Sequence, residues 1–395
     1  MLRLLYVHES FGSLGGAEAN VYITATELKN RGVTIGLWTR RPTGKGEAPW
    51  RALFGEHVYW ENQDTLDTVR ARFAPDVAYV HKWDHLPTLA TLVDSGLPLA
   101  RMVHDHDIYC LRSYRYHPLT RAVCHRPASG YCVFPCLATL KVNRSGGFPL
   151  QWVSYFDKIR ELALVRRFDR MFVVTHYMRR ELELNGFAPE RIHLFPPVPR
   201  PGEPLEPSFS GRNLLLYAGQ IIRGKGVDLL LRALARVQAP FEAVILGDGN
   251  AKASCEKLAR RLGLATRVRF AGFIPQEELK AYYREASLVT VSSVWPEPIA
   301  TIGLEVMRYG LPVVAFDAGG IPDWLHHEKT GLLVPWGDVP AYARAIDRLL
   351  SDKTLARRLG AQGRAYVNEH YDFEAYLTRL HTTLAGLKKA EGLKD

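Results

Sequence analysis

Six prolines within residues 195–212 divide this chain into two halves that carry the same pattern. On both sides of this stretch, short apolar runs of strand length alternate with amphipathic segments of helix length. Such alternation predicts parallel β-sheets covered by helices, because parallel strands need long crossover connections. We therefore expect an α/β protein of two doubly wound domains, over residues 1–198 and 212–370. A proline-rich linker at 199–211 and a C-terminal helical segment at 371–395 complete the expected organisation.

The apolar runs define the expected strands. In the N-terminal half they are residues 4–8, 34–38, 77–81, 100–104 and 172–175, and in the C-terminal half 214–218, 243–246, 268–271, 288–291, 312–316 and 332–335. Parallel α/β sheets bind ligands beyond the carboxyl ends of their strands. Polar residues and glycines that directly follow these runs are therefore the first candidates for a binding site.

Length and composition indicate an ordinary globular protein. The 395 residues exceed what one core usually serves, and the 47% hydrophobic and 23% charged content excludes disordered and fibrous classes. No apolar stretch approaches the roughly 18–20 residues that span a bilayer, and residues 1–7 resemble a buried strand more than a signal peptide. We expect a cytoplasmic location.

The formal net charge of +10 favours an anionic partner. Part of it is local, because the sequence between Asp107 and Asp157 contains no acidic residue. The basic residues in this interval are Arg112, Arg115, Arg121, Arg126, Lys141 and Arg144. We expect the loop 105–150 to contact an anionic membrane peripherally, at its inner face, or a phosphorylated acceptor, or else to be solvated and without a role. No nucleic-acid motif accompanies the charge, so a nucleic-acid partner is not expected.

Four of the five cysteines lie in the same loop: Cys110, Cys124, Cys132 and Cys136. In a cytoplasmic protein buried thiols are the simplest interpretation, since disulfides are rare there. A structural zinc ion is the alternative, although the spacing lacks the paired Cys-x-x-Cys pattern of zinc knuckles. A redox pair is a third.

The segment from Trp295 to Gly310 says most about function. Its apolar spacing predicts a short helix that starts near Pro298 and ends at Gly310 in the left-handed conformation. Glu297 would then precede the helix, and Glu305 would lie within it. The N-terminus of a helix suits a phosphate, and carboxylates accept hydrogen bonds from hydroxyls. A sugar nucleotide carries this combination of diphosphate and hydroxyl groups.

Five short motifs resemble those of a known family. They are GGAE at 15–18, GQIIRGKG at 219–226, WPEP at 295–298, GLE at 303–305 and GLPVV at 310–314. Together, over nearly the whole chain, they resemble the retaining GT-B glycosyltransferases of family 4, which include glycogen and sucrose synthases and bacterial polysaccharide transferases. The resemblance implies two Rossmann-like domains facing a central cleft, with a C-terminal helix that crosses back to the N-terminal domain.

The resemblance also implies roles for residues of the C-terminal half. Glu305 matches the ribose-binding glutamate, Glu297 the glutamate beside the donor sugar, and Lys225 the lysine that binds the diphosphate. Two departures stand out. Gln220 follows Gly219 where the family usually has arginine, so Arg223 is the nearest guanidinium for the same phosphate. Ile299 and Ala300 replace the common Phe-Gly pair, although backbone N–H groups from Ile299 to Thr301 would still meet the diphosphate, while alanine lacks the freedom of glycine at positive φ.

Further residues are implied by the same resemblance. His104, which ends a strand, matches a histidine that faces the donor sugar. Gly15 and Gly16 stand before the first helix, where missing side chains let the backbone approach phosphate or acceptor. The turn at Phe273 and Ile274 matches backbone that meets the nucleotide base.

The expected function is transfer of a sugar from a nucleotide-sugar donor to a glycan, lipid-linked or small-molecule acceptor with retention of configuration. UDP-sugar is the first expectation for the donor and GDP-sugar the second. Catalysis is expected to need no metal and no other cofactor, because neither nucleotide-binding turn carries an Asp-x-Asp signature; Asp105 and Asp107 have that spacing but lie in the other domain. The alternatives are a sugar-nucleotide epimerase or phosphorylase of the same shape, and a catalytically silent protein that binds nucleotide sugars.

Overall fold

The computed structural model describes residues 1–13, 15–117, 120–142, 150–198, 200, 205–209 and 211–390. Much of the expected linker 199–211, the basic residue Arg144 and the last five residues of the expected C-terminal segment therefore lie outside the described residues. The chain divides into two compact units. The first comprises Met1–Arg115, His125–Pro197 and Glu374–Asp395, and the second comprises Tyr116–Cys124 and Val198–Phe373.

The first unit is built on a parallel sheet with the strand order β3-β2-β1-β4-β5-β8-β9. The strands are β1 (Arg3–Phe11), β2 (Thr34–Pro42), β3 (Val58–Trp60), β4 (Val77–Val80), β5 (Leu99–Val103), β8 (Arg170–Val173) and β9 (Ile192–Leu194), and β6 (Leu140–Val142) and β7 (Leu150–Trp152) form a separate antiparallel pair. The central strands β1 and β4 are buried on both faces, which is what a sheet covered by helices on both sides requires.

The helices of this unit follow the strands in the predicted alternation. They are α1 (Gly16–Asn30), α2 (Glu47–Phe54), α3 (Leu66–Phe73), α4 (Leu86–Asp94), α5 (Tyr155–Val165) and α6 (His176–Leu184). Thr65, Ser154 and Thr175 cap α3, α5 and α6 by accepting hydrogen bonds from backbone N–H groups of the first turn. The caps fix where each helix begins.

The second unit contains the parallel sheet β12-β11-β10-β13-β14-β15. Its strands are β10 (Leu214–Ala218), β11 (Glu242–Leu246), β12 (Val268–Gly272), β13 (Ala286–Val291), β14 (Val313–Phe316) and β15 (Leu332–Val334), and its helices are α7 (Val227–Leu234), α8 (Lys252–Arg261), α9 (Gln276–Glu285), α10 (Thr301–Arg308), α11 (Val339–Ser351) and α12 (Lys353–His370). Each expected strand is present within a few residues of its predicted bounds. The expected class, α/β with two doubly wound Rossmann-like units, is confirmed.

The last helix, α13 (Phe373–Ala390), groups from Glu374 onward with the first unit. Arg31 pairs with Glu374 at 2.5 Å, and Lys388 pairs with Asp76 at 2.9 Å. Arg379 donates to the Leu194 carbonyl at 2.9 Å. The C-terminal helix therefore belongs structurally to the N-terminal half of the chain. No helix in the described part of the chain is long and apolar enough to cross a bilayer.

Candidate functional site

The loops that follow the parallel strands of the second unit carry most of the predicted site residues. Gly219 follows β10, Phe273 follows β12, and the segment with Glu297 follows β13. Because the carboxyl ends of parallel strands share one edge of the sheet, these loops are neighbours. The candidate site therefore lies at the carboxyl edge of the second sheet, where a ligand is expected.

Lys225 and Glu297 form the central ion pair of this edge. The Lys225 ammonium donates to the Glu297 carboxylate at 2.6 Å, and the Ser293 hydroxyl donates to the same oxygen. Glu297 is only 2% exposed, so its charge depends on these two partners for solvation. The Lys225 nitrogen also lies 5.3 Å from the centre of the Trp295 ring. The pair holds a cation and an anion side by side in a fixed geometry.

The turn before α7 positions Lys225 through backbone hydrogen bonds. The Gly224 carbonyl accepts from the N–H groups of Val294 and Trp295 at 2.8 and 3.0 Å, and the Ser292 hydroxyl donates to the Lys225 carbonyl at 2.9 Å. Gly226 has φ of 65°, and a Cβ atom there would lie 2.0 Å from the Ser292 carbonyl oxygen. Glycine is required at this position for both its conformation and its size. Arg223, in the same turn, is exposed.

The backbone around Glu297 is fixed from the other side by the loop after β14. Glu297 donates its N–H to the Ala318 carbonyl at 3.3 Å, and its own carbonyl accepts from the Gly320 N–H at 2.7 Å. Gly319 has φ of 66°, and a Cβ there would lie 2.5 Å from the Glu297 nitrogen and oxygen. The carboxylate is thus held by three loops of the sheet edge.

The helix predicted from Pro298 begins three residues later, at Thr301. Residues 296–300 stay outside the helix because Ala300, its N-cap, has left-handed angles of φ 57° and ψ 66°. The Trp324 indole donates to the Ile299 carbonyl at 2.5 Å, which holds the loop in this path. The predicted end at Gly310 is correct, with φ of 78°. The helix N-terminus is therefore at Thr301, whose side chain is exposed, while Ile299 and Ala300 are buried.

Glu305 lies on α10 at the same edge and is half-buried. The Tyr283 hydroxyl donates to its carboxylate at 3.2 Å. Burial raises the pKa of Glu305 above its ordinary value, and the hydrogen bond from Tyr283 opposes this rise. One oxygen of the carboxylate is thereby oriented, which suits a fixed acceptor of hydroxyl hydrogen bonds.

The turns after β10, β11 and β12 complete the edge. A Cβ on Gly247 would lie 1.9 Å from the Gly219 carbonyl oxygen, so these two turns touch through backbone alone. Gly219 and Gln220 are both exposed, and the Gln220 carbonyl accepts from the Tyr217 hydroxyl at 2.8 Å. Phe273 is 78% exposed and Ile274 is half-buried. An aromatic face this accessible is able to stack on a flat base.

In the first unit, Gly15 and Gly16 stand at the start of α1. A Cβ on Gly16 would meet no atom of the described residues within 4 Å, and one on Gly15 would meet only the Glu18 carboxylate at 3.7 Å. Glu18 accepts from the Gly15 N–H at 2.9 Å and contacts the buried His8 imidazole at 3.2 Å. Burial acts to raise the pKa of Glu18, but the hydrogen bonds from His8 and from backbone, together with the charges of His8 and Lys82, outweigh it and lower the pKa to about 2. The carboxylate is thus kept charged at this helix start.

His104 directly follows β5, as predicted, but its partner is another histidine. The His81 Nδ1 and His104 Nε2 atoms lie 2.8 Å apart, and the two rings stack at 5.0 Å. Burial, reinforced by the nearby His8 and Lys82, lowers the pKa of His104 to about 3. His104 is therefore a neutral imidazole near physiological pH, and one of this pair must donate and the other accept.

Asp105 and Asp107 surround a lysine. The Lys82 ammonium lies 2.6 Å from the Asp105 carboxylate and 3.6 Å from that of Asp107. Burial and the neighbouring Asp107 raise the pKa of Asp105 to about 7, whereas Lys82 holds the pKa of Asp107 below its ordinary value against the effect of burial. A cation of the protein itself thus occupies the position between the two carboxylates.

The zinc alternative for Cys110, Cys124, Cys132 and Cys136 finds no support. Among the described residues, no group of three or more His, Cys, Asp or Glu side chains is placed to hold a metal ion. The four thiols are half-buried instead.

Several residues of the site escaped prediction: Ser293, Tyr283, Trp324, His81 and Lys82. Ser293 and Lys82 each follow a strand by two residues, so their position at the sheet edge was the available signal. Tyr283 lies on α9 and Trp324 after β14, far in sequence from their partners. No local pattern marks such residues.

Two family descriptions match the chain, and together they cover most of it. "Glycosyltransferase Family 4" matches residues 14–198, and "Glycosyl transferases group 1" matches residues 205–366. The chain belongs to the GT-B glycosyltransferases of the family 4 type. This confirms the resemblance drawn from the motifs at the start of α1, in the turn before α7 and around α10.

Curated relatives and solved structures agree with this assignment. The GT-B glycosyltransferase described here is 29% identical over 184 residues to a GDP-mannose-dependent alpha-(1-6)-phosphatidylinositol monomannoside mannosyltransferase of Mycobacterium tuberculosis, an alignment covering 44% of this chain and 48% of that protein. The chain spans about two fifths of the length of the first curated relatives it matches. The activities named for these relatives are therefore those of proteins of which less than half is matched.

The fold likeness extends over the whole chain. Sucrose-phosphate synthase from Thermosynechococcus elongatus superposes with a TM-score of 0.73 at 20% identity, covering 99% of this chain and all of that one. Anabaena Alr3699/HepE, solved with UDP and glucose, gives a TM-score of 0.71 at 18% identity over 98% of this GT-B glycosyltransferase and all of that chain. At such identities the likeness establishes the GT-B fold alone.

Proposed function

We propose that this protein is a hexosyltransferase that transfers a sugar from a nucleotide-sugar donor with retention of configuration and without a metal. UDP-sugar is the first candidate donor and GDP-sugar the second. The acceptor is a glycan, a lipid-linked sugar or a small hydroxylated molecule. The observation that carries the proposal is the Lys225–Glu297 pair at 2.6 Å, set among backbone turns at the carboxyl edge of the second sheet.

The donor diphosphate is assigned to the positive groups of this edge. Lys225 and Arg223 supply side-chain charge, and Thr301 supplies a backbone N–H group at the positive end of α10. Ile299 and Ala300, in the loop before the helix, supply two further backbone N–H groups. These groups offset the charge that develops as the nucleoside diphosphate leaves, which is the task that Mg²⁺ performs in other transferases. Arg223 stands in for the arginine that Gln220 replaces.

The nucleoside is assigned to Glu305 and to the turn after β12. The Glu305 carboxylate, oriented by Tyr283, is suited to accept from a ribose diol. Phe273 offers a face for the base, and the backbone at Ile274 offers hydrogen-bonding groups. Backbone contacts separate uracil and guanine poorly, and two relatives carry UDP or depend on GDP-mannose, so both donors stay under test.

The sugar is assigned to Glu297. Lys225 and Ser293 hold its carboxylate in place by hydrogen bonds, and a buried carboxylate there stabilises the positive charge that develops at the anomeric carbon. The acceptor hydroxyl attacks the face from which the diphosphate departs, and the departing phosphate takes the proton. His104 stays a predicted ligand of a sugar hydroxyl, for which its neutral imidazole is suited.

A thermal-shift panel of UDP-, GDP- and ADP-sugars tests the donor. A ligand that binds only the native state raises the melting temperature by mass action, so the true donor gives the largest rise. Incubation of that donor with glycan and lipid-linked acceptors, followed by NMR of the product, then reports the anomeric configuration. No rise with any nucleotide sugar would refute the proposal. Binding without any product would favour a silent binding protein, for which Gln220 and Ala300 are the supporting features.

A further inference from the structure

The exposed large apolar side chains of the described residues are not scattered over the surface. Of eleven, seven lie between residues 114 and 156: Tyr114, Val133, Phe134, Leu137, Leu140, Trp152 and Phe156. Phe134, Trp152 and Phe156 are 76%, 67% and 73% exposed. Single exposed apolar residues are ordinary, whereas a concentration of this kind indicates an interaction surface.

The fold pairs two of these residues and fixes a third beside them. Leu140 and Trp152 are direct partners in the antiparallel β6–β7 pair. The Leu140 N–H donates to the Leu137 carbonyl at 3.2 Å, and Arg112 donates to the same carbonyl at 2.7 Å. Phe156 lies in the first turn of α5, four residues after Trp152. We call Val133, Phe134, Leu137, Leu140, Trp152 and Phe156 the apolar tip.

The segment that carries the apolar tip is basic. The sequence from 108 to 156 contains no Asp or Glu, whereas it contains six Arg and Lys residues. Two of these arginines are neutralised within the protein, because Arg115 pairs with Glu181 and Arg121 pairs with Asp228. Arg126 is exposed, with its guanidinium 4.6 Å from the centre of the Tyr131 ring. Asp157, which directly follows Phe156, is the first acidic residue after this segment. An apolar surface on a segment with a net positive charge is complementary to anionic lipid headgroups.

A polar cavity opens beside the apolar tip. Its volume is about 430 Å³, and its lining includes Trp152, Lys82, Arg101, Asp107, Lys158 and Glu161. Arg101 is buried, yet its Nη1 atom has no hydrogen-bond partner among the described residues. Its Nη2 atom lies 3.6 Å from the Glu161 carboxylate. A buried donor without a partner, in a cavity of ligand size, points to a polar group that completes the site.

Trp152 belongs to both features, so the apolar tip is continuous with the rim of the cavity. The cavity lining mixes positive and negative groups, which matches a polyhydroxylated headgroup better than a simple anion. Asp107 lies in this lining only three residues after His104. A headgroup in the cavity would therefore lie close to a residue that the sequence assigns to the reaction.

We propose that the apolar tip inserts into the headgroup region of an anionic phospholipid bilayer, and that the cavity receives the sugar headgroup of a membrane-anchored acceptor. This rests on the proposed function and selects the lipid-linked class among its acceptors. Aromatic side chains prefer the membrane interface, and basic residues beside them add attraction to anionic lipids. Exposure of more than 60% of Phe134, Trp152 and Phe156 suits insertion between headgroups.

Sedimentation with vesicles tests the proposal without any need for catalysis. The full chain is mixed with vesicles of phosphatidylcholine alone or of phosphatidylcholine with phosphatidylglycerol. Wild type is expected to bind the anionic vesicles, more weakly at high salt. The triple variant Phe134→Ser, Trp152→Ser, Phe156→Ser is expected to lose at least about ten-fold in vesicle affinity, because it removes the inserted apolar area. Leu184→Ser, on α6 and also exposed, is the matched control and should bind like wild type.

Each alternative has a separate readout. Thermal shifts with the nucleotide sugars, measured without vesicles, report the fold and the donor site of every variant, so failure of vesicle binding is distinguishable from failure of the proposed function. Brominated lipids should quench the fluorescence of wild type more than that of Trp152→Phe. Equal vesicle binding by wild type and the triple variant would overturn the proposal. A tip that instead joins two copies, seen as a dimer that the triple variant dissociates without any vesicle binding, would also overturn it.

Discussion

Lys225 and Glu297 are 72 residues apart in sequence, yet their charged groups meet at 2.6 Å. Glu297 is buried, and its other partner is the Ser293 hydroxyl. The pair therefore holds a carboxylate at the position assigned to the sugar and an ammonium at the position assigned to the diphosphate. An ammonium has three donors, so Lys225 is able to keep Glu297 and bind phosphate at once.

Glu297→Gln is the first prediction. The substitution preserves the shape of the side chain and removes its charge, so we expect transfer to fall by about 100-fold or more. Affinity for UDP, by titration calorimetry, should change by less than about three-fold because Lys225 keeps its charge. Lys225→Met is the matched control and should show the reverse order, with nucleotide affinity lost first. Equal losses of transfer rate and UDP affinity in Glu297→Gln would contradict the assignment of Glu297 to the sugar.

Glu305→Ala is expected to weaken nucleotide affinity more than it slows the transfer of bound donor. Hydrogen bonds to a charged acceptor are worth about 1.5–3 kcal/mol, which corresponds to a loss of roughly ten-fold or more. Tyr283→Phe removes only the neighbouring hydroxyl and keeps the carboxylate, so its effect should be much smaller. Titration of both variants with UDP and with uridine checks the assignment. If Glu305→Ala binds UDP like wild type, the ribose assignment is wrong.

Ala300→Gly is predicted to stabilise the protein. Ala300 has φ of 57°, a conformation that costs an L-residue about 1–2 kcal/mol but costs glycine almost nothing. Part of this gain is offset by the greater freedom of glycine in the unfolded chain, which leaves about 0.5–1 kcal/mol. Urea unfolding measures it. Ala361→Gly, at an exposed position inside α12, is the matched control and should destabilise by about 1 kcal/mol. If both variants changed the free energy of unfolding in the same direction, Ala300 would not be strained.

Gly303→Ala and Gly386→Ala form a matched pair inside two helices. A Cβ on Gly303 would lie 2.0 Å from the buried Trp324 ring, whereas one on Gly386 would meet no atom of the described residues within 4 Å. We expect a loss of at least about 2 kcal/mol for Gly303→Ala from overpacking, and a gain of about 1 kcal/mol for Gly386→Ala from helix propensity. Thermal unfolding of both variants decides. An unaffected Gly303→Ala would mean that α10 and Trp324 are not packed as described.

The sequence predicted the fold well because its signals were local. Apolar runs, glycines after helices and turns between elements all act over a few residues, and each expected strand formed. The start of α10 was missed because a tertiary contact decides it: the Trp324 indole holds the Ile299 carbonyl, and Ala300 adopts a left-handed conformation that alanine rarely takes.

One contact at the candidate site joins two residues that short motifs singled out. Lys225, Glu297 and Glu305 came from short motifs, and the structure brings the first two into contact. The contacts of Ser293, Tyr283 and His81 join chain segments that approach each other only after folding, so no sequence spacing indicated them. His104 illustrates the limit: its position at a strand end was predictable, but its histidine partner on the neighbouring strand was not.

The His81–His104 pair predicts a loss of stability in mild acid. His104 has a pKa of about 3 in the folded protein and about 6.5 when unfolded, so the unfolded chain binds the extra proton between these values. Its contribution to stability is therefore complete above pH 6.5 and declines as the pH falls toward 3. At pH 5 the resulting loss in the free energy of unfolding is at most about 2 kcal/mol.

His104→Gln removes the titrating group and keeps a side chain able to hydrogen-bond His81. We expect the variant to lose less of its unfolding free energy than wild type between pH 7.5 and pH 5, whatever its stability at the higher pH. Urea unfolding at several pH values gives the two slopes. Parallel slopes for wild type and His104→Gln would show that His104 is not buried as a neutral ring.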